Sequence, residues 1–198
     1  MKKNSLKKKL IQCTRDFYRM GLNSSISGNQ SIRKDKNWMW ITPSGIPRYD
    51  LTRHHLVKVN LRDGSYSGSL KPSVEWQLHS DIYMNMEKIN SVLHTHSPYS
   101  LSIAISSEFL PVLEEAEVVL GEIPSIIPNK PSGSNELAKE VLKVISKNKS
   151  NVVIILNHGI ISIGETLEQA RIKIESLEEW SKILAISRLF GGPRHFLY

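Results

Sequence analysis

A continuous run of five apolar residues near the end of the chain is the feature that most constrains its fold. The segment Val152–Leu156 predicts a strand with no polar face, so this strand must be covered on both sides of a sheet. A second, mostly apolar segment, Ile160–Ile163, follows the tripeptide Asn157-His158-Gly159 and predicts the return strand. Covering both faces of a sheet requires flanking helices, and we therefore predict a layered α/β fold with a mixed sheet.

Helical periodicity supplies candidates for those flanking layers. An N-terminal segment ending before Gly21 carries apolar residues spaced three and four apart, namely Leu6, Leu10, Cys13, Phe17 and Met20. Thr166 and Gln169 form a capping box for a last long helix, predicted to reach about Phe190. We also expect a helix over Val74–Met86 and a strand over Ser91–Thr95. No repeat or linker interrupts the chain, so we predict one domain over residues 1–198.

The net charge of +7 is local, because five lysines lie within the first nine residues. A solvated helix face explains this cluster, and steering of an anionic substrate is the alternative. Nucleic-acid binding is not expected, because no basic stripe with interleaved aromatic residues is present.

The same composition bears on the compartment. No apolar run is long enough to span a bilayer, and the basic N-terminus lacks the uninterrupted apolar segment of a signal peptide. The single cysteine, Cys13, excludes an internal disulfide and fits a reducing environment. We therefore expect a cytoplasmic protein without membrane contact.

Three histidines stand where strands are predicted to end. His94 and His96 are separated by one residue, so both side chains leave the same face of their strand. His158 follows the Val152–Leu156 strand, and Gly159 permits a sharp exit from it. If these strand ends meet, three imidazoles converge as in a catalytic zinc site with an open position. Packing or hydrogen bonding is the alternative for an isolated His-x-His pair.

Glu75 and three small turns are further candidates. A carboxylate at the start of a helix is favoured by the helix dipole, whereas beside a metal it could be a ligand or a general base. His79 shares its helix face and is a possible fourth ligand or a structural residue. Backbone N–H groups and hydroxyls of Ser27-Gly28-Asn29, Ser44-Gly45 and Ser73 could hold a phosphate.

In combination these segments resemble the class II aldolase/adducin family, and within it the fuculose-1-phosphate aldolase branch. The matching stretches, which cover roughly residues 6–190, are GLNSSISGNQSIR, ITPSGIPRYDLT, KPSVEWQLHSDIY, VLHTHSPYS and NHGIISIGETLEQA. The resemblance implies a central, mainly antiparallel sheet flanked by helices. It also implies a C4 homotetramer with active sites at subunit interfaces.

The resemblance carries specific roles with it. It implies that His94, His96 and His158 bind one Zn²⁺ per chain, although Co²⁺ or Mn²⁺ could also suit such a site. Glu75 matches the family's acid/base, which can coordinate the metal while substrate is absent. The positions that match the family's phosphate-binding residues are Gly28, Asn29, Ser44, Gly45 and Ser73. The implied activity is that of a lyase, which cleaves a small ketose phosphate to dihydroxyacetone phosphate and an aldehyde through a metal-stabilised enediolate.

Departures from the family pattern leave the substrate open. Val74 stands where many relatives have a second Ser or Thr, and Ile26 replaces a small polar residue. No tyrosine stands at the family's acid/base position for the aldehyde side. The candidates for that role are Glu114, Glu115, His195 and Tyr198.

Other activities on the same metal site are alternatives. A pentulose-phosphate 4-epimerase uses the same bond cleavage, and a phosphotetronate decarboxylase is a further possibility. Glu75 favours an aldolase, because the family's epimerases typically carry Asp at this position. A non-catalytic adducin-like scaffold is disfavoured, because such proteins are expected to lose the metal-binding histidines.

Overall fold

The computed structural model describes residues 2–106, 113–121, 123–148 and 150–197, with side chains from residue 5 onward. Among these residues, eight strands form one sheet: β1 (Asn29–Arg33), β2 (Trp38–Ile41), β3 (Val57–Asn60), β4 (Tyr66–Ser67), β5 (Ser91–Thr95), β6 (Ser125–Ile127), β7 (Val152–Ile155) and β8 (Gly159–Gly164). The helices are α1 (Lys2–Arg19), α2 (Trp76–Asn85), α3 (Pro98–Ser106), α4 (Glu114–Leu120), α5 (Asn135–Asn148) and α6 (Leu167–Arg188).

The sheet is mixed and mainly antiparallel, which confirms the predicted fold class. Its strand order is β4-β3-β2-β1-β5-β8-β7-β6. Every neighbouring pair is antiparallel except β6 and β7, which run parallel.

Both faces of β7 and β8 are covered, as the apolar run predicts. On one face the two strands pack against α2 and α5 through Val153, Ile155, Ile161 and Ile163. On the other face they pack against α3, α4 and α6 through Val152, Ile154 and Ile160. Each residue of such a strand contributes to one of the two cores, which explains why the sequence does not alternate.

The observed boundaries agree with the sequence at some elements and shift at others. β5 occupies the predicted residues Ser91–Thr95, and the capping box of Thr166 and Gln169 is present at the start of α6. By contrast, α2 begins at Trp76, so Glu75 is its N-cap and makes no side-chain cap hydrogen bond. The carboxylate of Glu75 is therefore not used to satisfy the helix terminus. The short elements β4, β6 and α4 were not predicted, because two, three and seven residues are too few to show a period.

The sheet brings three chain segments to one end. In the ladder register, Asn29 at the start of β1 pairs with His94 near the end of β5, and His94 also pairs with Ile161 of β8. His158 lies in the turn just before β8. Within the part of the chain that the structure describes, no helix is long and apolar enough to cross a membrane.

Candidate metal centre and anion pocket

The three histidines singled out from the sequence converge in the structure. One ligand atom from each of His94, His96 and His158 lies within 4.8 Å of the others. The Nε2 atoms of His94 and His96 are 3.1 Å apart. His94 is buried, and the other two are partly buried. Three converging imidazoles are the donor set of a catalytic zinc site that keeps one position open, so the residues present fit a metal of this kind.

The backbone around His94 fixes which ring nitrogen faces the centre. Nδ1 of His94 lies 3.1 Å from the carbonyl oxygen of Ile160, which can only accept a hydrogen bond. Nδ1 must therefore carry the proton, and the lone pair of Nε2 is left for a metal. Burial is the main cause that lowers the pKa of His94, and Glu75 only partly opposes it. Burial also lowers the pKa of His96 to about 4, with smaller effects from His94 and His158, so both rings are neutral near pH 7.

Gly159 makes room for this cluster. A Cβ atom at this position would lie 2.4 Å from Cε1 of His94 and 2.6 Å from the carbonyl oxygen of Thr95. The left-handed residue of the turn is instead Asn157, with φ of 57°. Glycine is thus needed at position 159 because the imidazoles approach its backbone closely. The sharp turn after the strand, which was expected at Gly159, occurs at Asn157 instead.

Glu75 faces the cluster from the N-terminus of α2. Its Oε2 lies 3.3 Å from Nε2 of His94, and its Oε1 lies 3.2 Å from Nε2 of His158. Asn29 donates to Oε2 through Nδ2 at 2.7 Å, and the Ser132 hydroxyl donates to Oε1 at 2.9 Å. Burial alone would raise the pKa of Glu75, but His94, His158 and Asn29 outweigh it and hold the pKa below its usual range. The carboxylate is therefore ionised beside the imidazoles.

A buried hydrogen-bond chain supports Glu75 from behind. Because Asn29 donates to Glu75, its Oδ1 must accept from Nε2 of His79, at 2.5 Å. Nδ1 of His79 then accepts from the Ser31 hydroxyl at 2.7 Å, and Ser31 lies 2.8 Å from the hydroxyl of Tyr83. Burial lowers the pKa of His79 to about 3, against the opposing effect of Glu75. His79 lies outside the three-histidine cluster, which agrees with a structural role rather than that of a fourth ligand.

One cavity of about 200 Å³ unites the two sets of candidate residues. Its lining includes the candidate metal ligands His94, His96 and His158, together with Glu75 and the candidate anion-binding residues Gly28, Asn29, Ser44, Gly45 and Ser73. Gly28 and Gly45 have φ values of 68° and 75°, a region that favours glycine. The turns that were predicted separately thus form one wall of the pocket.

The polar groups of that wall are not equally available to a ligand. The amide of Asn29 is engaged on both sides by Glu75 and His79. The N–H of Ser44 donates to the carbonyl oxygen of Lys71, and the Ser44 hydroxyl donates to the carbonyl oxygen of Pro72. The Ser73 hydroxyl accepts from the N–H of Glu75 at 3.3 Å, so its own proton stays available for an anion.

The residues that depart from the family pattern lie at the rim of the cavity. Ile26 is 61% exposed and Val74 is 63% exposed, and both line the opening. Glu114 and Glu115 are exposed in the first turn of α4 and do not line this cavity.

Two further candidates for the aldehyde side belong to the C-terminal tail. His195 is exposed and also does not line the cavity. Tyr198 lies outside the described residues.

Two functional candidates were missed from the sequence. Ser132 contacts Glu75 from a loop 57 residues away, and no motif marks it. Arg48 lines the cavity and is 3% exposed. It stands inside the stretch ITPSGIPRYDLT, and nothing in the sequence shows that its side chain is buried.

Comparison with known proteins gives a consistent result. The family model "Class II Aldolase and Adducin N-terminal domain" matches residues 8–185. The chain is 31% identical to an L-fuculose phosphate aldolase of Haemophilus influenzae over 185 residues, covering 91% of this chain and 83% of the relative. It is 35% identical to a 5-methylthioribulose-1-phosphate/5-deoxyribulose-1-phosphate aldolase of Escherichia coli over 171 residues, covering 85% and 78%. A solved L-fuculose 1-phosphate aldolase superposes with a TM-score of 0.83 at 28% identity, covering 96% of this chain and 89% of that one.

Proposed function

Because this chain belongs to the class II aldolase and adducin family, we propose that it is a metal-dependent aldolase that cleaves a small ketose phosphate to dihydroxyacetone phosphate and an aldehyde. The observation that carries the proposal is the shared cavity, in which three imidazoles and an ionised carboxylate face two glycine turns and a serine hydroxyl. That arrangement suits a substrate with oxygen ligands at one end and an anionic group at the other.

His94, His96 and His158 would hold the metal, for which we propose Zn²⁺, with Co²⁺ or Mn²⁺ as alternatives. When bound, such a cation supplies a Lewis acid that stabilises negative charge developing on substrate oxygens. The protein contributes three neutral ligands, so the full charge of the cation stays available for that purpose. The hydrogen bond from Nδ1 of His94 to the carbonyl oxygen of Ile160 keeps this imidazole in the orientation required of a ligand.

Glu75 would move the proton at the carbon atom that carries negative charge after the carbon–carbon bond breaks. Its carboxylate is ionised, as a base must be, and Asn29 and Ser132 orient its two oxygens. Its two oxygens also lie 3.3 Å from Nε2 of His94 and 3.2 Å from Nε2 of His158. This position suits a residue that would coordinate the metal while substrate is absent.

The anion wall would bind the substrate phosphate through Gly28, Asn29, Ser44, Gly45 and Ser73. Given its contacts, Ser73 is the hydroxyl best placed to donate. Asn29 contributes mainly by holding Glu75, because both ends of its amide already have partners. One residue thereby joins the anion wall to the proton-transfer group.

The second acid/base would come from another subunit of a homotetramer. Glu114 and Glu115 are exposed and do not line the cavity of their own chain. Charged side chains in such a position can serve an active site only if a neighbouring subunit brings them to it. We therefore propose that the site is completed at a subunit interface.

The experiment combines elemental analysis of metal content with retro-aldol assays on L-fuculose 1-phosphate, 5-deoxyribulose 1-phosphate and their unphosphorylated ketoses. We expect one metal ion per chain and cleavage that falls about 10²- to 10⁴-fold in Glu75→Gln. The matched control is Glu165→Gln, which removes the same charge from an exposed position.

The other outcomes separate the alternatives. Metal binding without cleavage of any ketose would move the assignment to an epimerase or a decarboxylase on the same centre. Protein that takes up no stoichiometric metal after zinc is added back would leave the non-catalytic scaffold as the better description.

A further inference from the structure

Arg48 occupies an unusual position between the two glycine turns of the anion wall. Its side chain is 3% exposed, yet it lines the cavity. The guanidinium donates to five backbone carbonyl oxygens, those of Ile26 (2.8 Å), Ser27 (3.1 Å), Gly28 (2.6 Å), Pro43 (3.3 Å) and Ile46 (3.2 Å). One side chain thus uses all five of its N–H donors on the main chain.

These acceptors belong to two separate loops. Three of them precede β1, in the loop that ends at Gly28. The other two flank Ser44 and Gly45, in the loop that follows β2. The backbone N–H of Arg48 adds a further link, to the carbonyl oxygen of Ser25 at 2.7 Å. Arg48 therefore holds the two halves of the anion wall at a fixed separation.

Among the residues that the structure describes, every hydrogen-bond partner of the Arg48 guanidinium is a carbonyl oxygen and none is a carboxylate. Burial lowers the pKa of Arg48 to about 10, which still leaves the guanidinium charged near neutral pH. A buried cation that is paired only with dipoles carries a desolvation cost that a nearby anion reduces. The wall of the cavity consequently presents a positive charge to whatever enters it.

We infer that Arg48 is the positioning residue of the anion pocket: it sets the spacing of the two glycine turns and supplies the buried positive charge that a substrate phosphate neutralises. This inference rests on the proposed function, since it assumes that these turns receive the phosphate. It assigns to one side chain both the geometry and the electrostatic preference of the pocket.

The test uses metal-loaded, full-length protein and inorganic phosphate as the probe, with affinity measured by calorimetry. We expect Arg48→Met to bind phosphate at least about tenfold more weakly than the wild type, and Arg48→Lys to fall between them because it keeps the charge without the forked donors. Arg62→Met, which removes an exposed arginine from the turn between β3 and β4, is the matched control and should bind like the wild type.

Two further readouts separate positioning from general damage to the fold. Metal content should stay at one ion per chain in Arg48→Met, because none of the three histidines is among the described hydrogen-bond partners of the Arg48 side chain. In the cleavage assay the KM for the phosphorylated ketose should rise at least as much as the phosphate affinity falls, while kcat changes less. Restoration of part of the affinity by Arg48→Lys would support the role of the charge.

The outcomes are distinguishable from failure of the proposed function. If the wild type binds phosphate and Arg48→Met binds it equally well, the inference is wrong and the phosphate pocket stands. If the wild type binds no phosphate and cleaves unphosphorylated ketoses equally well, the phosphate assignment fails and takes this inference with it. Should Arg48→Met not fold, Arg48→Lys decides, and wild-type phosphate affinity in that variant would overturn the inference.

Discussion

The two walls of the cavity are built on different physical principles. The metal wall, formed by His94, His96 and His158, lies on or directly beside central strands. The backbone of His94 in β5 is paired with Asn29 on one side and with Ile161 on the other, whereas His96 follows β5 and His158 lies in the turn before β8. The anion wall consists of loop backbone before β1 and after β2, shaped by glycines with positive φ and joined by Arg48. Ladder hydrogen bonds in a covered sheet are hard to displace, whereas loops depend on the contacts that tie them down.

Substitutions in the two walls should therefore act differently. In the metal wall, removal of a side chain should delete a ligand and leave the frame in place. In the anion wall, removal of a contact should move the frame itself.

The largest effect is expected from His94→Ala in the metal wall. Loss of one of three ligands, and of the one oriented by Ile160, should reduce metal content from one ion per chain to near zero and lower metal affinity more than about 100-fold. Elemental analysis after dialysis measures this, with exposed His54→Ala as control. The circular dichroism spectrum should keep its strand signal. A variant that retains stoichiometric metal would contradict the assignment of this ligand.

Gly28→Ala, a substitution in the anion wall, should also disturb the metal wall. An added Cβ would lie 2.3 Å from Oδ1 of Asn23, and that oxygen accepts the backbone N–H of His96 at 3.1 Å. Strain at φ of 68° and displacement of Asn23 should together lower the free energy of unfolding by about 2 to 3 kcal/mol. Urea unfolding measures this change.

The control for Gly28→Ala is Gly21→Ala, which has φ of 75° but no atom within 4 Å of its Cβ. It should show the cost of the backbone conformation alone. Equal destabilisation by the two substitutions would mean that the contact with Asn23 adds nothing, and that the walls are independent at this point.

His79→Gln tests the buried hydrogen-bond chain that supports Glu75 from behind the metal wall. Folded His79 has a pKa of about 3 and the unfolded residue about 6.5, so between these values the unfolded chain binds more protons. The wild type should therefore lose stability as the pH falls through this window, by up to about 1.4 kcal/mol per pH unit. The variant should lose that part of the slope in urea unfolding at pH 7, 6 and 5.

The same variant should also lower kcat, by about tenfold, because Asn29, which orients Glu75, loses the imidazole that holds its amide. Exposed His54→Gln is the matched control and should change neither quantity. An unaltered pH slope in His79→Gln would show that this imidazole does not stay neutral in the folded protein.

The smallest effect is expected from Ser132→Ala. It removes one hydroxyl that donates to Glu75 while Asn29 still holds the other oxygen, so kcat should fall about three- to tenfold. Metal content should be unchanged. Steady-state kinetics measures the effect against Ser102→Ala, which is exposed on α3. A wild-type kcat would show that Asn29 alone orients the carboxylate.

Local pattern was a good guide wherever one segment decides its own structure. β5 occupies the predicted residues, and the capping box of Thr166 and Gln169 is present as expected. The predicted family, fold class and aldolase type of enzyme are confirmed by the comparisons. The roles of the individual site residues and the assignment of all 198 residues to one domain stay predictions.

Contacts across long stretches of sequence could not be predicted. Glu75 is held by Asn29, 46 residues before it, and by Ser132, 57 residues after it. From the sequence, the helix dipole was a sufficient explanation for a carboxylate at the start of α2. The local sequence does not show in which direction that side chain points. Gly159 shows the same limit, since the imidazoles that require it come from β5.

The sequence by itself determined that a doubly covered strand pair exists, that His94 and His96 share a face, and that three small turns could receive an anion. These properties follow from side-chain alternation and from backbone conformations that single residues prefer. Only the tertiary structure decided that both sets of residues line one cavity, that Asn29 serves Glu75, and that Arg48 ties two loops together. Those outcomes depend on strand order and register, which bring distant segments within hydrogen-bond reach, and no local preference encodes that proximity.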